Sequence, residues 1–158
     1  MKKVVFLDRD GVVNKEIGDY IYDLSKFKIN HGFAEAIKKW SALNYSFAIV
    51  TNQGGISKSI YTKKDLQYIN NYLVSWFQKI GADLLTIQYC PHHNLIESCI
   101  CRKPNSLMLE KIIARYQVSI KSSFMIGDSQ RDIEAARRVG LKGILIEANS
   151  DLNKLNLF

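Results

Sequence analysis

The sequence predicts an α/β fold in which a parallel sheet carries helices on both faces. Three observations predict it. Short apolar runs alternate with longer segments whose apolar residues recur every three or four positions, the pattern of strands joined by crossover helices. The first run, Val4-Val5-Phe6-Leu7, is continuously apolar, as in a strand covered on both faces. It ends in Asp8-Arg9-Asp10-Gly11, which puts two carboxylates at the C-terminal end of a strand, the edge where open α/β sheets bind ligands. Taken alone, that tetrapeptide reads equally well as a turn, since Asp and Gly are ordinary turn residues.

The elements follow in order. Residues 14–31 hold Gly18, Asp19, Tyr20, Tyr22 and Asp23 without a clear period, a loop longer than most βα connections. Phe33, Ala36, Ile37, Trp40 and Leu43 predict an amphipathic helix over 33–43. Phe47-Ala48-Ile49-Val50 reads as a second buried strand, running into Thr51-Asn52-Gln53-Gly54-Gly55. Thr62-Lys63-Lys64-Asp65 opens a helix with a capping-box pattern, and Gly81 stops it. Its stripe of Leu66, Ile69, Tyr72, Leu73, Trp76, Phe77 and Ile80 is read as core, not as a cofactor box. Leu84 to Tyr89 is a third strand, and Leu107, Leu109, Ile112, Ile113 and Tyr116 mark a helix. Phe124-Met125-Ile126 is a fourth strand, Ile133, Ala136 and Val139 a short helix closed by Gly140, and Gly143 to Glu147 a fifth strand.

At 158 residues and 47% hydrophobic content, the chain is expected to be one domain spanning residues 1–158, with a real core. The whole is a Rossmann-like three-layer domain around a five-stranded parallel sheet. No insertion is large enough for a separate cap domain, so an open site is expected. No apolar run approaches the roughly 20 residues that span a bilayer, and Met1-Lys2-Lys3 leads straight into a strand. A cytoplasmic protein without membrane contact is expected. The net charge of +7 suits anionic partners, but Lys38-Lys39, Lys63-Lys64, Lys111 and Arg137-Arg138 are scattered over helices. A solvated surface is the better reading than a nucleic-acid stripe.

Four polar clusters each follow a predicted strand: Asp8-x-Asp10-Gly11, Thr51-Asn52-Gln53, Arg102-Lys103-Pro104, and Gly127-Asp128-x-x-x-Asp132. Together they resemble the four motifs of the haloacid dehalogenase superfamily of phosphotransferases, over nearly the whole chain. The fuller pattern of Asp8-Arg9-Asp10-Gly11-Val12-x-Asn14, Thr51-Asn52-Gln53-x-Gly55 and Cys90-x-His92 with Cys99-x-Cys101-Arg102-Lys103-Pro104 is similar to one subgroup. That subgroup holds the D-glycero-D-manno-heptose 1,7-bisphosphate phosphatases and the histidinol-phosphatases.

The resemblance implies strand order 3-2-1-4-5 and a division of catalytic labour. Asp8 would be the nucleophile that becomes an aspartyl-phosphate, and Asp10 the general acid and later the base for water. Asp8 is expected to be held ionised by a cation while Asp10 is free to carry a proton. The cation would be Mg²⁺, held by Asp8, the backbone carbonyl of Asp10, and Asp128. Thr51 with Asn52, Gln53 and Gly54 would hold the phosphoryl group, Lys103 would balance its charge, and Arg102 would face a second anionic group. Asp132 would orient Lys103 or a metal-bound water. Glu16, Ile17, Gly18 and Asp19 are candidate substrate contacts in the long loop. One departure stands out: the heptose enzymes often have Lys after the fourth-motif Asp, and this chain has Ser129.

All three cysteines fall within twelve residues, in Cys90-Pro91-His92-His93 and Cys99-Ile100-Cys101. With His92 they form a Cys₃His set suited to a closed structural Zn²⁺ site. The alternatives are free thiols or a disulfide, which a cytosolic chain with an odd cysteine count disfavours. His93 is the rival ligand, and the resemblance favours His92. Functionally, a monomeric phosphatase acting on a small phosphorylated sugar leads, with histidinol phosphate as the nearest rival substrate. A nucleic-acid 3′-end phosphatase is the alternative of another class, and a non-enzymatic binding module is disfavoured by the presence of both aspartates.

Overall fold

The computed structural model describes residues 1–155. Its strands are β1 (Lys3–Leu7), β2 (Tyr45–Asn52), β3 (Leu84–Cys90), β4 (Phe124–Gly127) and β5 (Lys142–Leu145). Four helices, α1 (Phe33–Ala42), α2 (Lys63–Lys79), α3 (Leu107–Tyr116) and α4 (Gln130–Arg138), alternate with them. The strands form one parallel sheet in the order β3-β2-β1-β4-β5. Both the fold class and the order expected from the motifs are therefore found.

Two apolar layers sandwich the sheet, and side-chain alternation decides which layer each strand residue enters. Val5 and Leu7 of β1, Phe47 and Ile49 of β2, and Phe124 and Ile126 of β4 pack with Trp40 of α1 and Phe77 of α2. Their neighbours Val4, Phe6, Ala48, Val50 and Met125 face the other way, onto Leu109 and Ile112 of α3 and Ala135 of α4. Burial on both sides makes these strands read as unbroken apolar runs. Each such Leu, Ile or Phe contributes about 1.5–3 kcal/mol relative to exposure.

Some boundaries differ from the sequence reading. β5 spans Lys142–Leu145 and stops before Glu147; at the sheet edge it buries little, so periodicity marks its ends poorly. Leu43, expected on the apolar face of α1, caps the helix and is exposed, as is Tyr72 of α2. In α3 the buried residue that spacing overlooked is Met108. Thr62 caps α2, its hydroxyl accepting from the Asp65 amide while Asp65 reaches back to the Thr62 amide, as the capping-box pattern requires. After β5 the chain folds back: Leu152 enters the α1 side of the core, and Asn149 bonds Glu16 in both directions, clamping the long loop.

Candidate active site

The C-terminal ends of β1 and β2, and the turn leaving β4, open onto one cleft of about 440 Å³. Asp8 sits one residue beyond β1, its amide still bonded to the Ile126 carbonyl of β4 at 3.0 Å, so its position is set by the sheet. It is nearly buried. The Arg9 amide and Lys103 Nζ both donate to Oδ1, at 2.8 Å each, which leaves Oδ2 for an ion or a substrate. Burial pushes the Asp8 carboxyl up to about 7, partly opposed by Lys103 and reinforced by the charge of Asp132.

Lys103 is itself buried, donating to Asp8, to the Val50 carbonyl at 2.6 Å, and to Asp132 Oδ1 at 2.7 Å. Burial works against its charge, but the two carboxylates outweigh it and hold its pKa above the usual lysine value. Asp132 also accepts from the Ser129 amide at 3.1 Å, so the same side chain caps α4 and orients Lys103. Asn52 pins the loop that carries Lys103, its amide and carbonyl bonding the backbone of Lys103 at 3.0 Å each way.

Asp10, expected to act as acid and base, is gripped by neighbouring donors. Arg9, fully buried, grips it through Nε and Nη2 at 2.9–3.2 Å, and Asn14 Nδ2 and Gln53 Nε2 donate at 3.0 and 3.1 Å. Asp10 is thus held by donors on both oxygens. The reason lies in the turn. Gly11 N bonds the Asn14 carbonyl and three amides converge on the Arg9 carbonyl, which folds Asn14 back onto Asp10.

The carboxylates of Asp8, Asp128 and Asp132 each offer an oxygen within 4.8 Å of the others. That spacing fits a hard cation with oxygen ligands at about 2.0–2.1 Å. Since Lys103 and the Ser129 amide take both oxygens of Asp132 while Asp8 keeps Oδ2 open, Asp8 and Asp128 are the pair best placed to hold it. Burial raises Asp128, as does Asp132, while Arg131 and Lys103 lower it. Gly11, at φ +88°, stands against Asp128; a Cβ there would lie 2.0 Å from Oδ2, so only glycine lets the two motifs meet.

Thr51, Asn52, Gln53, Gly54, Arg102 and Lys103 all line the cleft. In the long loop Glu16, Gly18 and Asp19 line it too, while Ile17 does not and is 49% exposed. Spacing alone missed Arg9, Asn14 and Tyr61, which support Asp10, and Arg131, a cleft-lining guanidinium with no ion pair among the described residues. The motif strings contained Arg9 and Asn14, but nothing in the sequence marked Tyr61.

Beside the cleft, Cys90, His92, Cys99 and Cys101 converge. Sγ of Cys90 lies 2.9 Å from that of Cys101 and 3.6 Å from that of Cys99, and His92 Nδ1 is 3.2 Å from Cys101 Sγ. A tetrahedral zinc with Zn–S of about 2.3 Å needs sulfurs about 3.8 Å apart, so this set fits after a small expansion. His93 stands outside it: its amide bonds Ser57, its Nδ1 accepts from Leu95, and it lines the cleft. The His92 carbonyl accepts from Arg102 Nη1 at 3.0 Å, tying the cluster to the third motif.

A HAD-hydrolase-like family model matches residues 100–154. D-glycero-alpha-D-manno-heptose-1,7-bisphosphate 7-phosphatase of Photorhabdus laumondii is 37% identical over 88% of this chain and 79% of its own. The D-glycero-beta-D-manno-heptose-1,7-bisphosphate 7-phosphatase of Helicobacter pylori strain 26695 is 35% identical over 91% and 83%. A crystal structure of D,D-heptose 1,7-bisphosphate phosphatase from B. bronchiseptica, complexed with magnesium and phosphate, superposes with a TM-score of 0.83 at 29% identity, covering 90% of this chain and 79% of that one. Fold and site thus define a hydrolase of the haloacid dehalogenase type. Within it, the chain belongs to the family of the heptose 1,7-bisphosphate 7-phosphatases.

Proposed function

We propose that this chain is a cytoplasmic, Mg²⁺-dependent phosphatase that removes the 7-phosphate of a D-glycero-D-manno-heptose 1,7-bisphosphate, a step towards nucleotide-activated heptose for surface polysaccharide. The observation that carries the reading is Asp8, a buried strand-end carboxylate paired with Lys103 at 2.8 Å and close to Asp128, in a chain whose relatives bear that name. Mg²⁺ held by Asp8, the Asp10 carbonyl and Asp128 would supply positive charge for the phosphoryl oxygens. An Asp8 carboxylate oxygen forms a bond to phosphorus as the ester P–O bond breaks, and Asp10 gives a proton to the leaving sugar oxygen. Water then attacks phosphorus, Asp10 takes its proton, and the bond from phosphorus to Asp8 breaks, releasing inorganic phosphate.

Thr51 and the backbone amides after it hold the transferring group, and Lys103 favours the ionised form of Asp8 and balances charge. Arg102, with Arg131 beside it in the cleft, takes the distal phosphate; the cation expected at Ser129 is thereby supplied two residues later. The zinc cluster does no chemistry and fixes Arg102 through His92.

Histidinol phosphate is the second reading, favoured by two observations. Only six residues separate His92 from Cys99, a short loop of the kind resemblance to the histidinol-phosphatases implies, and the carboxylates of Glu16 and Asp19 line the cleft where an amine could pair with them. The deciding measurement is kcat/KM on the heptose bisphosphate against histidinol phosphate, in wild type and Arg102→Ala. Preference for the bisphosphate, lost in Arg102→Ala, supports the first reading; preference for histidinol phosphate overturns it.

A further inference from the structure

Tyr61 lies in the segment between β2 and α2, ten residues past Thr51, and is only 4% exposed. Its ring packs against Gly55, where a Cβ would lie 2.2 Å from Cε1, and stacks on Tyr22 at 5.1 Å and 11°; cleft-lining Tyr20 tilts against it at 6.0 Å. The phenol donates to Gln53 Oε1. Burial pushes the phenol pKa well up, so it stays protonated and remains a donor.

A glutamine amide has one accepting and one donating end. With Oε1 taken by Tyr61, Gln53 must turn Nε2 inward, and its two hydrogens go to Asp10 Oδ2 at 3.1 Å and Thr51 Oγ1 at 2.9 Å. Arg9 and Asn14 hold Asp10 from its own turn. Gln53 is the side chain that ties Asp10 to the β2 motif cradling the phosphoryl group.

We propose that Tyr61 is a positioning residue, which fixes the orientation of the Gln53 amide and thereby holds Asp10 in register with Thr51 for proton delivery to the leaving group. The inference rests on the acid role given to Asp10 above. Removing the phenolic oxygen frees Gln53 to rotate and present Oε1 to Asp10, and the carboxyl loses its tether to the phosphoryl site. Arg102 and Lys103 keep their own partners, so phosphate binding changes less than proton delivery.

The test compares single-turnover release of the leaving group from heptose 1,7-bisphosphate, whose alkoxide needs a proton, and from p-nitrophenyl phosphate, whose phenolate leaves without one. Tyr61→Phe is expected to slow the first by about tenfold and the second by less than about twofold, with unchanged KM for the bisphosphate. Gln53→Met, which also removes a side chain of the phosphoryl-holding set, should slow the bisphosphate more than p-nitrophenyl phosphate, and the double variant should be no slower than Gln53→Met alone. Equal losses on both substrates, no loss on either, or additive losses in the double variant would overturn the inference. Asp10→Asn separates the two claims. If it lacks leaving-group selectivity, both the acid role and the inference fall; if it is selective while Tyr61→Phe is not, the inference alone falls.

Discussion

Lys103 and Asp8 form an ion pair of 2.8 Å with side chains 1% and 8% exposed, and Asp132 closes the set from the other side of the ammonium. Neutralising that ammonium leaves two buried carboxylates facing each other. Lys103→Met should therefore destabilise the metal-free protein by about 3–5 kcal/mol, as for other broken buried pairs, and remove activity. Urea denaturation in the presence of EDTA checks it; a change under about 1 kcal/mol would mean the pair is solvated in solution.

Asp8→Asn should abolish turnover, because an amide is a poor nucleophile and a weaker ligand for Mg²⁺, while Asp10→Asn should lower kcat by about 10²–10⁴ with folding intact. Steady-state rates on the bisphosphate, with circular dichroism as the folding control, decide it. Near-normal turnover by purified Asp8→Asn would sink the mechanism.

Mg²⁺ affinity should depend on pH through Asp8. Its carboxyl titrates at about 7 in the metal-free fold and near 4 when unfolded, so the folded state holds a proton that the unfolded chain has lost. Stability of the metal-free protein should therefore fall as pH rises from about 4 to about 7 and level off above. Binding Mg²⁺ below pH 7 must expel that proton, so affinity should weaken as pH drops, approaching one proton released per ion. Calorimetry in buffers of different ionisation enthalpy measures the release, and proton-independent binding at pH 6 would contradict the assignment.

One zinc per chain is expected by elemental analysis. Cys101→Ser or Cys99→Ser should lose the metal and lower Tm, because ligand binding contributes folding energy there. Loss of zinc should also weaken substrate binding through Arg102, which the cluster anchors by the His92 carbonyl. Carefully prepared protein free of zinc, yet stable and active, would remove the structural role.

Much of the cleft lining was legible in the sequence. Asp8, Asp10 and Asp128 stand just past β1 and β4 and Thr51 near the end of β2, all placed by apolar runs, while Lys103 lies in the long connection after β3 and was marked by its motif. The pairing of Lys103 with Asp8 and Asp132 was half legible, since Asp132 was expected to orient Lys103 but the depth of burial was not foreseen. Arg9 and Asn14 were read as motif letters; that both grip Asp10 depends on the tight turn at Gly11 and on φ angles no spacing displays. Tyr61 left no signal because it acts through Gln53, eight residues away along the chain, and its partners are set by how the β2–α2 segment coils.

By itself, the sequence determined the alternation of strand and helix, the doubly covered sheet, the four motif positions and the Cys₃His set, because these depend on local pattern and on side-chain chemistry that does not change with context. The tertiary structure alone decided that burial would raise Asp8 and Asp128, that Arg9, Asn14 and Gln53 would cage Asp10, and that Arg131 would line the cleft without an ion pair among the described residues. Desolvation and Coulomb energies depend on distances between residues more than a hundred positions apart in the chain, such as Asp8 and Asp132, and only the packed sheet brings those residues together.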